Sequence, residues 1–220
     1  MNTSSDFSNE SSRVNPFDGL RVAVTGGTSG LGLALVRELL GRGARVAFVA
    51  RTRERVYGVA RENPGAHGIA GDVSSKEEIY PIALQVTGEL GGLDVLVNNA
   101  SDLGPVPLAM LSDTECEDLE RAFATNVLGP FRLTKALMGA LAASAREGRG
   151  AVVLNISSDA AVNAYPGWGA YGASKAALHH LSRVWGEEHA ADRIRFLSLD
   201  PATWTRRCTR RPSPTQTPRR

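Results

Sequence analysis

Three side chains late in the sequence have the types and spacing to do chemistry: Ser158, Tyr171 and Lys175. Tyr171 and Lys175 stand four apart in Tyr171-Gly172-Ala173-Ser174-Lys175, at the head of a helical run that continues to His189. That spacing puts both on one helical face, a turn from each other. A free phenol releases its proton only near pH ~10. An ammonium group held close favours the phenolate, so the spacing predicts a tyrosine whose pKa falls toward neutral pH. Such a phenol gives a proton to a carbonyl or takes one from an alcohol. That is half of an oxidoreduction, and the other half, a hydride, calls for a nicotinamide site elsewhere in the chain.

The first elements of the chain supply one. Residues 20–24 (Leu-Arg-Val-Ala-Val) read as a buried strand, and Thr25-Gly26-Gly27-Thr28-Ser29-Gly30-Leu31-Gly32 then opens a helix running to about Arg42. A strand feeding a glycine-rich turn and a helix N-terminus suits a pyrophosphate, because unpaired amides and the positive end of the helix dipole face the anion. The second strand, 45–50, ends at Ala50-Arg51-Thr52-Arg53, where an acid would bond an adenosine ribose hydroxyl and repel a 2′-phosphate. A guanidinium suits a phosphate dianion, so Arg51 predicts NADP(H) in preference to NAD(H). The plainer alternative is that Arg51 and Arg53 solvate a helix start.

Further strands are expected at 67–71, 93–97, 151–156 and 194–199, alternating with helical patterns. Ser74 or Ser75 is expected to cap a helix through Leu90, and a helical stretch from 112 to 145 should break near Gly129-Pro130, just past Asn126. Regular alternation predicts an α/β fold, a Rossmann-type doubly wound parallel sheet with right-handed crossovers. Every motif above falls at the C-terminal end of a strand or in the helix that follows, the edge where open parallel sheets bind ligands.

Composition sets the bounds. The 220 residues carry 25 bases and 23 acids, a net charge of +2, but residues 206–220 alone hold six arginines and no acid, leaving a body of 19 bases against 23 acids. An acidic body and a tail without interleaved aromatics argue against a nucleic-acid partner. No apolar run approaches the ~20 residues of a membrane span, and residues 1–17 read as a polar, disordered leader rather than a signal peptide. Cys116 and Cys208 show neither disulfide nor metal-ligand spacing, which fits the reducing cytoplasm. The four histidines (His67, His179, His180, His189) also lack ligand spacing and read as surface residues.

Taken together, residues 20–201 resemble the short-chain dehydrogenase/reductase family. Thr25, Gly26, Gly30 and Gly32 match its Thr-Gly-x-x-x-Gly-x-Gly turn; Asn98-Asn99-Ala100 matches its Asn-Asn-Ala-Gly segment, with Ser101 in place of the glycine. The resemblance implies that Asn126, Ser158, Tyr171 and Lys175 are catalytic. It also implies a cofactor site built from Thr25, Gly26, Thr28, Ser29, Gly30, Leu31, Gly32, Asp72, Val73, Asn99, Ala100 and Pro201, with Tyr171 and Lys175 at the nicotinamide. Asp72 is expected at the adenine and Asn126 at a relay water. A small carbonyl or alcohol substrate and a homodimer follow by the same resemblance. Tyr165, Pro166 and Trp168 either line the substrate pocket or close a tight loop.

After Asp200-Pro201 the resemblance stops. The family continues with Pro-Gly, a helical lid and a seventh strand, whereas residues 202–220 are Arg-, Pro- and Thr-rich without apolar periodicity and read as a disordered tail. Restoring one nucleotide before the Ala202 codon would let residues 202–206 read as a family-like Gly-Asp-Met-Asp-Thr, so a shifted reading frame is one expectation for this segment. Six strands without the seventh would leave a low-stability, poorly active or non-catalytic nucleotide-binding protein as the alternative reading.

Overall fold

In the computed structural model, residues 15–201 are described. The leader, the arginine-rich tail and the shifted-frame expectation fall largely or wholly outside them. Six strands, β1 (Arg21–Thr25), β2 (Arg45–Ala50), β3 (Ala66–Ala70), β4 (Val95–Asn98), β5 (Ala151–Ile156) and β6 (Ile194–Leu199), form one sheet in the order β3-β2-β1-β4-β5-β6. All pairings are parallel. The helices are α1 (Gly30–Gly41), α2 (Arg53–Glu62), α3 (Ile79–Leu90), α4 (Cys116–Phe123), α5 (Gly129–Arg146) and α6 (Gly169–Glu188). This is the doubly wound α/β architecture that the alternation predicts. The order reverses between β1 and β4, which opens a crevice at their C-terminal ends.

Two apolar layers cover the sheet. Val36 of α1 and Val56 and Val59 of α2 pack on Val22, Val24, Val46 and Phe48. On the other face Ile82, Val86 and Leu90 of α3 and Leu133, Leu137 and Leu141 of α5 meet Ala23, Ala47, Leu96 and Val153. β1, β2 and β4 are apolar at nearly every position because both their faces are covered. β6 is different: Ile194 is buried, yet Leu197 is 45% and Leu199 37% exposed on the face that no described helix covers. Stacking of Phe131 on Trp185, and of Trp185 near Phe196, ties α5 and α6 to β6.

The N-terminal end of the sheet is closed by a charge cluster. Asp94, 1% exposed, takes bonds from the Arg21 amide at 2.8 Å, the Arg21 guanidinium at 2.7 Å, and Arg149 at 3.1 Å. Ser144 adds a hydroxyl donor. Burial alone would raise this carboxyl's pKa, but the bonds from Arg21, Arg149 and Ser144 hold it well below the usual carboxylate range.

Two element boundaries differ from expectation. Neither Ser74 nor Ser75 caps α3, which begins at Ile79: the Asp72 carboxylate captures both the amide and the hydroxyl of Ser74, at 2.8 and 2.7 Å, and holds the chain in turns. The stretch around Gly129-Pro130 is not a break either. Ala124–Leu128 forms a π-helical turn that joins α4 to α5, with Pro130 in the first turn of α5. Proline has no N–H for the carbonyl four residues back, so Asn126 loses its α-helical donor and the widened turn absorbs the mismatch. The histidines correct the surface reading in part, since His67, His179 and His189 are half-buried and bonded to Glu89, Ser198 and Asp192.

Candidate active site

The β1–α1 turn is braced from β4. The Thr25 hydroxyl accepts the amides of Asn99 and Ala100 at 2.9 and 3.0 Å, and the Asn99 amide group donates to the carbonyls of Thr25 and Gly26 at 2.9 and 3.3 Å. Gly26 has φ +70°, and a Cβ on Gly32 would stand 2.2 Å from the Gly26 carbonyl oxygen. Only glycine permits that crossing of backbone over backbone. Ser29 precedes α1 in an extended conformation without a side-chain cap, so the first amides of the helix remain available to an anion.

A cleft of about 310 Å³ runs from this turn along the ends of β2, β3 and β4. Of the residues expected at the cofactor, Gly26, Thr28, Ser29, Leu31, Gly32, Arg51, Asp72, Val73, Asn99 and Ala100 line it. Thr25 stands behind the turn as a brace, and Gly30 begins α1 at φ +52°. Pro201, half-buried at the end of the described chain, is not among the lining residues. Arg55, in the first turn of α2 and four residues beyond Arg51, is a second guanidinium in the cleft that no motif marks. Arg53 turns away and reaches the Tyr57 hydroxyl at 3.4 Å. Groups and cradle therefore fit a dinucleotide: glycine backbone and free amides for the pyrophosphate, two arginines beyond β2, and Asp72 with Val73 at the end of β3.

Ser158, Tyr171 and Lys175 are brought together at the same sheet edge. Tyr171 and Lys175 lie in the first two turns of α6, and Ser158 follows β5. Lys175 is 2% exposed; its ammonium donates to the Ile156 carbonyl at 2.8 Å and lies 5.5 Å from the centroid of the Tyr171 ring. Burial lowers the Lys175 pKa to about 8. The phenol corrects the expectation made for it, because its pKa is raised above the ordinary value. Burial leads that shift, hydrogen bonds with Ser158 and Ser101 oppose it, and the carboxylates of Asp200 and Asp159 add to it. Ser101, the residue that departs from the family segment, thus acts to lower the phenol pKa and lines the dinucleotide cleft as well.

Asn126, fully buried in the π-helical turn, has its amide group occupied: it donates to the Asp102 carbonyl at 2.7 Å and the Ser174 hydroxyl at 2.8 Å, and accepts the Asp102 amide at 2.8 Å. It clamps the loop after β4 against α6, one residue from Lys175. Nothing local in the sequence marks Asp102 or Ser174 as its partners.

A second cleft, about 500 Å³, opens on the other side of Tyr171 and is lined by Leu103, Ser158, Asp159, Tyr165 and Trp168. Tyr165 and Trp168 line the pocket, and Pro166 does not. Trp168 packs edge-on to Tyr171 with centroids 5.6 Å apart.

The family model for short chain dehydrogenases matches residues 21–214. The chain belongs to the short-chain dehydrogenase family. This short-chain dehydrogenase is 35% identical over 188 residues to an uncharacterized oxidoreductase of Mycobacterium tuberculosis, a match that covers 82% of the chain and 54% of that relative. The chain therefore spans about half the length of that mycobacterial protein. It is 33% identical to the 2-(R)-hydroxypropyl-CoM dehydrogenase of Xanthobacter autotrophicus over 82% of the chain and 73% of that enzyme. Among solved structures it superposes with a TM-score of 0.80 on the 3-ketoacyl-(acyl-carrier-protein) reductase of Brucella melitensis in complex with NADH, at 26% identity over 84% of the chain and 76% of that structure. No helix among the described residues is long and apolar enough to cross a membrane.

Proposed function

We propose that this short-chain dehydrogenase interconverts a carbonyl compound and an alcohol with NADP(H), using Ser158, Tyr171, Lys175 and Asn126. The observation that carries the reading is the junction at Tyr171: one hydroxyl, Ser101, belongs to the dinucleotide cleft, and the other, Ser158, to the substrate cleft. A nicotinamide dinucleotide bound in the first cleft supplies or takes up the hydride. Thr28, Ser29 and the α1 amides would hold its pyrophosphate, and Arg51 with Arg55 would pair a 2′-phosphate. No acid stands at the end of β2 to repel that phosphate.

At the carbonyl, Ser158 donates a hydrogen bond to the oxygen where negative charge develops. Tyr171 delivers the proton. Its pKa is raised, chiefly by burial, so the phenol holds its proton at neutral pH and can give it to the developing alkoxide. Lys175, buried below the ring, helps hold the nicotinamide ribose and steadies the phenolate left behind. Asn126 supports the relay by locking α6 through Ser174 and by presenting a main-chain carbonyl that has lost its α-helical donor to Pro130. Residues 18–201 act as one dinucleotide-binding unit.

Exposed Leu119, Leu128 and Val184 along α4, the π turn and α6 support a homodimer through these helices. The exposed free thiol of Cys116 suits a reducing cytoplasm.

The test is NADPH oxidation against a panel of ketones with Tyr171→Phe beside the wild type. Loss of turnover by about 10²–10⁴-fold is expected, the range of a positioned general acid, with NADPH affinity unchanged. Retained turnover in the variant would remove Tyr171 from the mechanism.

A further inference from the structure

Four polar side chains lie sealed between the sheet and helices α5 and α6, and they line neither of the two clefts. We infer that three of them, Asn98, Asn155 and Ser182, are positioning residues for the transfer of hydride and proton: they fix how α6 sits on the sheet, and so where Tyr171 stands relative to the glycine turn. This rests on the oxidoreductase reading above.

Alternation along a strand returns every second side chain to the same face. Leu96 of β4 and Val153 of β5 join the apolar core with Leu133 and Leu137 of α5. The next side chains on that face of the two strands are Asn98 and Asn155, which are register partners. Asn98 Nδ2 donates to Asn155 Oδ1 at 2.8 Å and to the Thr134 hydroxyl of α5 at 3.3 Å. Asn155 Nδ2 donates in turn to the Ser182 hydroxyl of α6. Asn98, Thr134, Asn155 and Ser182 are all between 0% and 2% exposed. A line of side-chain bonds thus runs from β4 through β5 to α6.

Stability does not call for these groups. Apolar side chains of the same shape, put in place of both partners of a buried bond, leave a fold about as stable. What a paired buried network supplies is a single geometry, and here each end of it adjoins the site. Asn98 precedes Asn99 and Ala100, whose amides are held by the Thr25 hydroxyl behind the glycine turn. Asn155 precedes Ile156, whose carbonyl takes the Lys175 ammonium at 2.8 Å. Ser182 lies seven residues beyond Lys175 on the same face of α6, about 10 Å along the axis. The helix that carries Tyr171 is therefore tethered to β5 at two points, Lys175 to Ile156 and Ser182 to Asn155. One tether lets a helix roll or slide about it, and two fix both motions.

The experiment uses the full chain with NADPH and the ketone panel, in two variants. Ser182→Ala removes the second tether alone. A triple variant, Asn98→Leu with Asn155→Leu and Ser182→Ala, makes the whole line apolar, leucine copying the branching of asparagine. The triple variant should melt near the wild type. Its kcat should fall by at least about tenfold, toward the ~10²-fold that a 1 Å misplacement costs, with NADPH KM changed less than about threefold because the glycine turn keeps its braces. Ser182→Ala should melt lower, since Asn155 is left with an unpaired donor, and should also lose kcat with little change in NADPH KM.

A merely structural role gives the opposite split. A folded triple variant with wild-type kcat would overturn the inference, and so would a Ser182→Ala protein that melts lower but turns over normally. Should the triple variant not fold, Ser182→Ala decides alone on that same split. If the wild type reduces none of the ketones, the oxidoreductase reading fails separately, and amide hydrogen exchange decides the inference. Exchange in the first two turns of α6 that rises at least about tenfold in the folded variants, relative to α1, sustains the tether; an equal change in both helices ends it.

Discussion

Burying an ammonium group at position 175 weakens the fold, and the size of the effect follows from the structure. Lys175 is nearly inaccessible, and burial takes its pKa from the ordinary 10.5 to about 8. A difference of that size corresponds to about 3 kcal/mol of folding free energy at pH 7. The sign is fixed by proton counts: between about 8 and 10.5 the unfolded chain holds a proton that the folded chain has released, so stability rises with pH across that window. Below it, Lys175 is charged in both states and the whole penalty is present. Lys175→Met keeps most of the side-chain volume and removes the charge. It also leaves the Ile156 carbonyl without the donor it has at 2.8 Å, which costs about 1–3 kcal/mol.

The variant should therefore be at least as stable as wild type at pH 7, by about 0–2 kcal/mol, or up to about 8 °C in melting temperature for a domain of this size. Circular-dichroism melts from pH 6.5 to 10, beside NADPH turnover, test this. The gain should vanish by pH 10, where wild-type Lys175 has lost its proton, and turnover should be lost throughout. A variant that melts lower at pH 7, or whose advantage is the same at every pH, would refute the reasoning.

Two further outcomes follow from the same geometry. Arg51→Glu should weaken NADPH binding by about 10- to 100-fold, the loss of one charge-assisted phosphate contact with a repulsion in its place, and leave NADH binding nearly unchanged; calorimetric titration reads both, and equal losses would reject the 2′-phosphate role. Asp94→Asn leaves the guanidinium groups of Arg21 and Arg149 without their shared counter-ion and should destabilise the fold by about 3–5 kcal/mol in urea at pH 7. Because the Asp94 pKa is depressed in the folded state, the wild type's advantage is present above pH ~4 and is lost as pH falls through the folded value, so the two proteins should converge in acid. A gap that stays constant from pH 7 to pH 3 would contradict that linkage.

How far the sequence could be read depended on the range of the interaction. Strands such as Ala151–Ile156 announce themselves as apolar runs because a covered parallel sheet needs apolar side chains on both faces. The glycine turn was legible because Gly26 and Gly32 answer to each other across a backbone crossing only six residues long. The α3 boundary was not, since Ser74 has two local uses, capping a helix or closing a turn on Asp72, and which prevails depends on where the end of β3 places that carboxylate. The same holds at Pro130: its missing N–H was visible, but whether the helix breaks or widens is decided by packing. Gly129 approaches the Val73 carbonyl so closely that a Cβ would stand 2.8 Å away, and Asn126 is pinned to Asp102 and Ser174 on two other elements.

The phenol shows the limit of arguing from spacing. A lysine four residues along does sit beneath Tyr171, as helical geometry requires, yet the net shift is upward. Desolvation acts on the whole ring, whereas the ammonium is spent on the Ile156 carbonyl and two carboxylates press from residues 159 and 200. Spacing fixes which groups meet, and the sign of their effect is set by what else is buried beside them. That is why the same Tyr171–Lys175 pair, read alone, predicted a phenol with a pKa near neutral and, read in its surroundings, gives a phenol that keeps its proton.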